Sequence, residues 1–237
     1  MTSHQIVDST THRDQRVLAG HGAALGDGVM ACLTVPGEFR RVQAHFPIVF
    51  RRDMTSGAFS AWALFGFEEG QNLFLTGESW DANYKPLALA IQPFLIGRGP
   101  GGAQVHIDLA HPRAAATGPG GVRLFDDLGQ PSPYLEAMAE RLGDLDQGYQ
   151  DSAGFFAALE RYSLLEPFTL EVPLRDGSNQ SLVGFHTIAE ERLMALDGAA
   201  LEDLHRAGHL LPLFMAAASL SQLGALVDRQ NLTLGDG

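Results

Sequence analysis

Cysteine is almost missing from this chain of 237 residues. Cys32 stands alone, which excludes an intrachain disulfide and a cysteine-based zinc site. It lies in the apolar run 29–35, where a thiol behaves as a small buried hydrophobe. Charge is also sparse. Asp, Glu, Lys and Arg make up 19% of the residues, too few for a disordered or coiled-coil chain. Basic residues are the scarcer sign, 16 against 28 acidic ones. The resulting net charge of -12 argues against a nucleic-acid surface, whose affinity comes from Lys and Arg neutralising phosphates. No run reaches the roughly 18 apolar residues of a membrane span. The longest, 210–226, is interrupted by Pro212, Ser219, Ser221 and Gln222. The first residues carry neither a basic nor an apolar leader region, so no Sec signal is expected and the expected compartment is the cytoplasm. Internal repeats, low-complexity tracts and the Gly-X-Ser-X-Gly elbow of serine hydrolases are absent too.

What is present is 45% hydrophobic residues, enough for one large domain or two small, closely packed ones. The stretch 45–97 holds both tryptophans and many of the fourteen phenylalanines. Its short apolar runs, separated by Gly, Asp, Glu and Asn, predict strands of one sheet. Residues 1–27 predict an irregular arm, and 28–230 a single domain. Within it, 29–35 predicts a strand and 38–45 a short helix that Pro47 ends. Residues 58–67, apolar on both faces, predict a central strand, and 73–75 its continuation in a meander. Ser132 with Pro133 predicts a helix start. One helix is expected to about Gly148 and a second from Asp151 to Leu165. Phe168, Leu170, Val172 and Leu174 then alternate with polar residues, and Asp176-Gly-Ser-Asn179 turns the chain into a hairpin. Thr187 and Glu190 have the spacing of a capping box. The expected class is α+β: an antiparallel sheet core from the N-terminal half, a helix-rich C-terminal half and an inserted β-hairpin.

A series of motifs runs through this order: His45-Phe-Pro-Ile-Val-Phe50, Gly70-Gln-Asn-Leu-Phe74, Trp80-Asp-Ala-Asn-Tyr-Lys-Pro86, Pro93-Phe-Leu-Ile-Gly97, Leu124-Phe-Asp126 with Gly129-Gln-Pro131, and Gly184-Phe-His-Thr-Ile188 with Glu190-Glu-Arg-Leu193. Together they resemble the SapC family of bacterial proteins over about residues 25–227. The family is named from association with a bacterial surface layer, and many relatives are encoded near TonB-dependent receptors, flavin-dependent halogenases and cupin-type oxygenases. The resemblance implies an accessory of nutrient uptake or of a modifying enzyme. It carries over no catalytic residue.

Four residues form the preferred ligand site. Trp80 and Tyr84 present rings, and Asp81 and Lys85 lie beside them with charged hydrogen-bonding groups, a set that suits a small molecule or a partner's side chain. Anchoring of a crossover on the sheet, with Asp81 as an N-cap, is the commoner explanation of the two rings. The alternative is a non-haem iron(II) oxygenase of the 2-oxoglutarate type. There His106 and Asp108, two apart on a strand, and His186 would be the metal ligands and Arg192 the carboxylate anchor. Against it, His-X-Asp is a common tripeptide, and the strands are too few for a double-stranded barrel. Without that site no cofactor is expected. A third reading is a structural component of a surface layer. Gly97, Gly99 and Gly102 fit a dinucleotide-loop spacing, but Pro100 removes an N–H and no periodic helix follows, so a hairpin or loop is the reading. Glu68-Glu69 and Asp126-Asp127 read as solvated turn acids. The stripe at 210–226 reads as a helix packed on its own sheet or as a partner face.

Overall fold

The structure, a computed structural model, describes residues 4–99, 102–114 and 120–235. In chain order its elements are β1 (His4–Ile6), β2 (Arg16–Val17), β3 (Ala31–Thr34), α1 (Phe39–Val42), β4 (Ile48–Arg52), β5 (Phe59–Leu64), β6 (Leu75–Thr76) and β7 (Ser79–Trp80). There follow α2 (Leu87–Ala90), β8 (Phe94–Gly99), β9 (Gly102–Asp108), β10 (Val122–Arg123) and α3 (Pro133–Arg161). The chain closes with β11 (Leu165–Pro173), β12 (Asn179–Ile188), α4 (Glu190–Met194), α5 (Gly198–Arg206), α6 (Leu210–Ser219) and α7 (Gln222–Gly235). The class is α+β, with antiparallel sheets and a helix-rich C-terminal half. Two compact units divide it: Met1–Gly28 with Leu75–Asp81 and Leu87–Gln147, and Val29–Phe74 with Ala82–Pro86 and Gly148–Gly237.

In the first unit β1, β9 and β8 form one sheet, and β10-β2 and β6-β7 are two-stranded ribbons. The stretch expected to be an irregular arm therefore holds ladder strands: His4, Gln5 and Ile6 pair with Asp108, Ile107 and His106. Phe94 and Ile107 face each other in register and are both buried. Arg113 and Asp27 are buried as well, 2.8 Å apart, and Arg113 also donates to the carbonyls of Leu18 and Gly20. Those extra bonds are what make two desolvated charges tolerable. Pro100, Gly101 and part of the Ala/Gly/Pro-rich stretch 111–121 lie outside the described residues.

The second unit is built on a five-stranded sheet in the order β11-β12-β4-β5-β3. As its doubly apolar sequence predicts, β5 is interior, paired with β4 on one side and β3 on the other. The apolar runs do not make one sheet: β8 belongs to the first unit, and Leu75 sits in the β6-β7 ribbon there. The place beside β4 is taken by the late hairpin, with His186 opposite Phe50. Phenylalanines fill the core. Phe46 meets Phe65 and Phe74 edge to face, with centroids 5.0 and 4.7 Å apart, and Phe39 meets Phe155 at 5.8 Å. Such edge contacts add to the burial of the rings themselves.

Three local expectations are corrected. α3 is one helix of 29 residues, not two. Ser132 caps it as expected, accepting from the Leu135 N–H at 3.3 Å, but Gly148 does not stop it. A Cβ at Gly148 would lie 2.6 Å from Val35 Cγ2, so glycine serves close approach here. The capping box does not form either: Thr187 stays buried in β12 and Ala189 precedes α4 without a side-chain bond. Strand pairing of Thr187 with Glu166 outcompetes the local cap. Last, the 210–226 stripe is part of two helices that meet at 220–221, and Leu210–Leu234 is long and apolar enough, by length and composition, to cross a membrane. Leu213, Ala216, Ser219 and Leu226 are nevertheless buried in the protein, while Leu211 and Phe214 are exposed.

Candidate functional site

The second unit contains a cavity of about 360 Å³ with two walls. One is made by the strands, where Leu33 and Thr34 of β3 and Phe59 and Ala61 of β5 line it. The other is a single face of α3: Tyr149, Ser152, Ala153, Phe156, Ala157 and Glu160, spaced three and four apart along the helix. Alanines on both walls keep the space open. The size falls at the lower end of the range for small-molecule sites.

A buried polar network lies behind Thr34. Val35 is extended and Pro36 opens a turn of 3-10 helix through Glu38, which folds the Glu38 side chain back to Thr34. The Glu38 carboxylate is 1% exposed. Thr34 Oγ1 donates to its Oε2 at 3.2 Å, and the Tyr84 hydroxyl donates to Oε1 at 2.5 Å. The guanidinium of Arg41 lies 4.8 Å from the Tyr84 ring centre. Burial pushes the Tyr84 phenol far above its ordinary value, and the charge of Glu38 and the bond to it push the same way, so the proton stays where it can be donated. The Cys32 thiol is raised by burial first and by Glu38 second, with Lys85 opposing. A buried thiol held protonated is no nucleophile. Tyr149 is raised by burial, then by Cys32 and Glu38.

Of the four residues preferred as a ligand site, Tyr84 and Lys85 belong to this unit and Trp80 and Asp81 to the other. Trp80 sits on β7 opposite Leu75, its ring 6.2 Å from that of His21. His21 lines a cavity of about 460 Å³ around 18–25, completed by Gly77 and Glu78.

The residues of the iron alternative each have local roles. The imidazole of His106 lies over Gly97, where a Cβ would come within 2.0 Å of Nε2. Asp108 accepts from the Ala110 N–H at 3.0 Å and lies 3.7 Å from His4. His186 meets Phe59 edge to face at 5.0 Å, with its Nδ1 buried and unpartnered. Among the described residues, no group of three or more His, Cys, Asp or Glu is placed to hold a metal ion. Sequence reasoning missed Thr34, Glu38 and the α3 face. The spacing from Ser152 to Glu160 falls inside the helix expected from Asp151, and the break read at Gly148 detached only Tyr149; what the spacing could not show is the pairing of that face with β3 and β5.

An α+β protein with an open apolar pocket and a buried carboxylate beside it is what the fold and site define. A family model described as SapC matches residues 7–226, nearly the whole chain, and the chain belongs to the SapC family. No curated protein and no solved structure matches it.

Proposed function

We propose that this SapC-family protein is a non-catalytic binding protein that takes a small molecule between β3, β5 and α3, as an accessory to nutrient uptake or to a modifying enzyme. The observation that carries the reading is the cavity of about 360 Å³, walled by alanines and by the rings of Phe59, Tyr149 and Phe156. Apolar walls with few polar groups are the usual make-up of ligand pockets. Holding is favoured over bond-making by the state of the reactive groups nearby. The Cys32 thiol and the Tyr84 phenol are both pushed toward their protonated forms, and both oxygens of Glu38 accept hydrogen bonds. Such a network is rigid and satisfied, which suits a preorganised wall.

The experiment is a fragment panel read by ligand-observed NMR on the wild type and on Ala157→Phe. Ala157 is exposed in the cavity wall, so the larger ring fills space without entering the core. Saturable binding by the wild type that Ala157→Phe abolishes, with an unchanged melting transition, is the expected result. Hits that bind both proteins equally place the site elsewhere and end the proposal.

A further inference from the structure

The chemistry of that cavity also constrains its occupant, a constraint that rests on the binding function proposed for it. Most of the hydroxyl donors in the lining are already used. Thr34 Oγ1 donates to Glu38 at 3.2 Å, Ser152 Oγ to the Gly148 carbonyl at 2.6 Å, and Ser60 Oγ to the Arg51 carbonyl at 3.4 Å. Ser60 also accepts from the Trp62 indole at 2.9 Å. What Thr34 and Ser152 still offer a ligand is lone pairs, and a hydroxyl that donates to a carboxylate becomes a better acceptor for doing so. Glu160 is the one charged residue in the lining, and it is an acceptor too. It pairs with no cation among the described residues. Behind Thr34 the buried carboxylate of Glu38 has the cations Lys85 and Arg41 near its own network. On the other side of the balance stand the Tyr149 phenol, which can donate, and Arg52. The Arg52 guanidinium does not line the cavity; it lies 5.5 Å from the Phe59 ring centre and donates to the Gly57 carbonyl at 3.0 Å. Among the lining side chains acceptors therefore outnumber donors, and the one charge, on Glu160, is negative.

We infer that the cavity takes a small amine with an apolar, ring-bearing body. The protonated nitrogen donates to the carboxylate of Glu160 and to hydroxyl lone pairs, a charge-assisted arrangement that a carboxylate ligand cannot form. The body packs against the rings of Phe59 and Phe156. Ligand acids meet Glu160 as a like charge and are disfavoured.

Isothermal titration with three probes of similar body tests this: 2-phenylethylammonium, 2-phenylethanol and 3-phenylpropanoate. The ammonium is expected to bind about tenfold or more tightly than either of the others. Glu160→Gln, an exposed substitution, is expected to remove that advantage and leave 2-phenylethanol unchanged. Equal affinities, or tightest binding of the carboxylate, all blocked by Ala157→Phe, would overturn the amine inference and leave the cavity as the site. Absence of binding by all three also overturns it, and the fragment panel then decides separately whether the cavity binds anything.

Discussion

Ser219 shows how much one side chain can hold. It is fully buried at the end of α6, donates to the Ala216 carbonyl at 2.6 Å and accepts from the Ile48 N–H at 2.8 Å. Ile48 opens β4, and without Ser219 that backbone donor would be buried and unpaired. Ser219→Ala is expected to destabilise the protein by about 1–3 kcal/mol, the cost of an orphaned buried donor. Ser221→Ala, exposed and bonded only within its own turn, is expected to change stability by less than about 0.5 kcal/mol. Urea denaturation of the two variants measures both. In the sequence Ser219 reads as an interruption in an apolar stripe. Its polarity serves a partner 171 positions away, and periodicity has no access to that.

At the scale of elements, α3 carries a paired prediction. Gly143 and Gly148 both sit inside the helix, and a Cβ at Gly143 would meet nothing within 4 Å. Gly143→Ala is expected to stabilise by up to about 1 kcal/mol through helix propensity alone. Gly148→Ala gains the same propensity but drives a methyl against Val35, itself 2% exposed. Overpacking of that kind costs about 1–3 kcal/mol, so a net loss is expected. Thermal melts of opposite sign would bear this out. The pair also explains where the chain is legible. The strands at 29–35 and 58–67, the helix start at Ser132 and the hairpin after Leu165 follow from local period and turn chemistry, and they form. The expected break at Gly148 does not, because a glycine reports that a side chain is missing, not why. Thr187 and Glu190 have the right spacing for a cap, yet the strand claims Thr187 first.

For the molecule as a whole, the pH dependence of folding is set by two groups of residues. His111 and His186 both lie below the ordinary histidine value of 6.5, by burial first, with Arg113 and Arg52 respectively adding to it. The unfolded chain therefore takes up protons more readily, and stability starts to fall as pH drops through 6.5. Asp8, Asp53, Asp127 and Asp176 lie below their ordinary 3.8, held by hydrogen bonds from Thr11, Ser56, Arg123 and Ser178. Their contribution is present at neutral pH and is lost only as pH falls through those lowered values. The urea midpoint is expected to decline with acid in two stages, and His186→Gln to flatten the first. Family and class are both readable at this scale, since motif order and composition are properties of the entire chain. The candidate site is not. The segment 80–86 is continuous in sequence, but the chain passes from one unit to the other after Asp81 and returns after Pro86. Thr34, Tyr84 and Tyr149, far apart in the chain, come to share one unit.

The outer strand of the five-stranded sheet bears on how such a chain could build larger assemblies. Of the nine residues in β11, Pro167 and Pro173 have no N–H to offer, and Glu166 and Glu171 bring like charges to any matching margin. Copies cannot readily zip together along that border. A lattice or filament joined at β11 would have to use side-chain surfaces there.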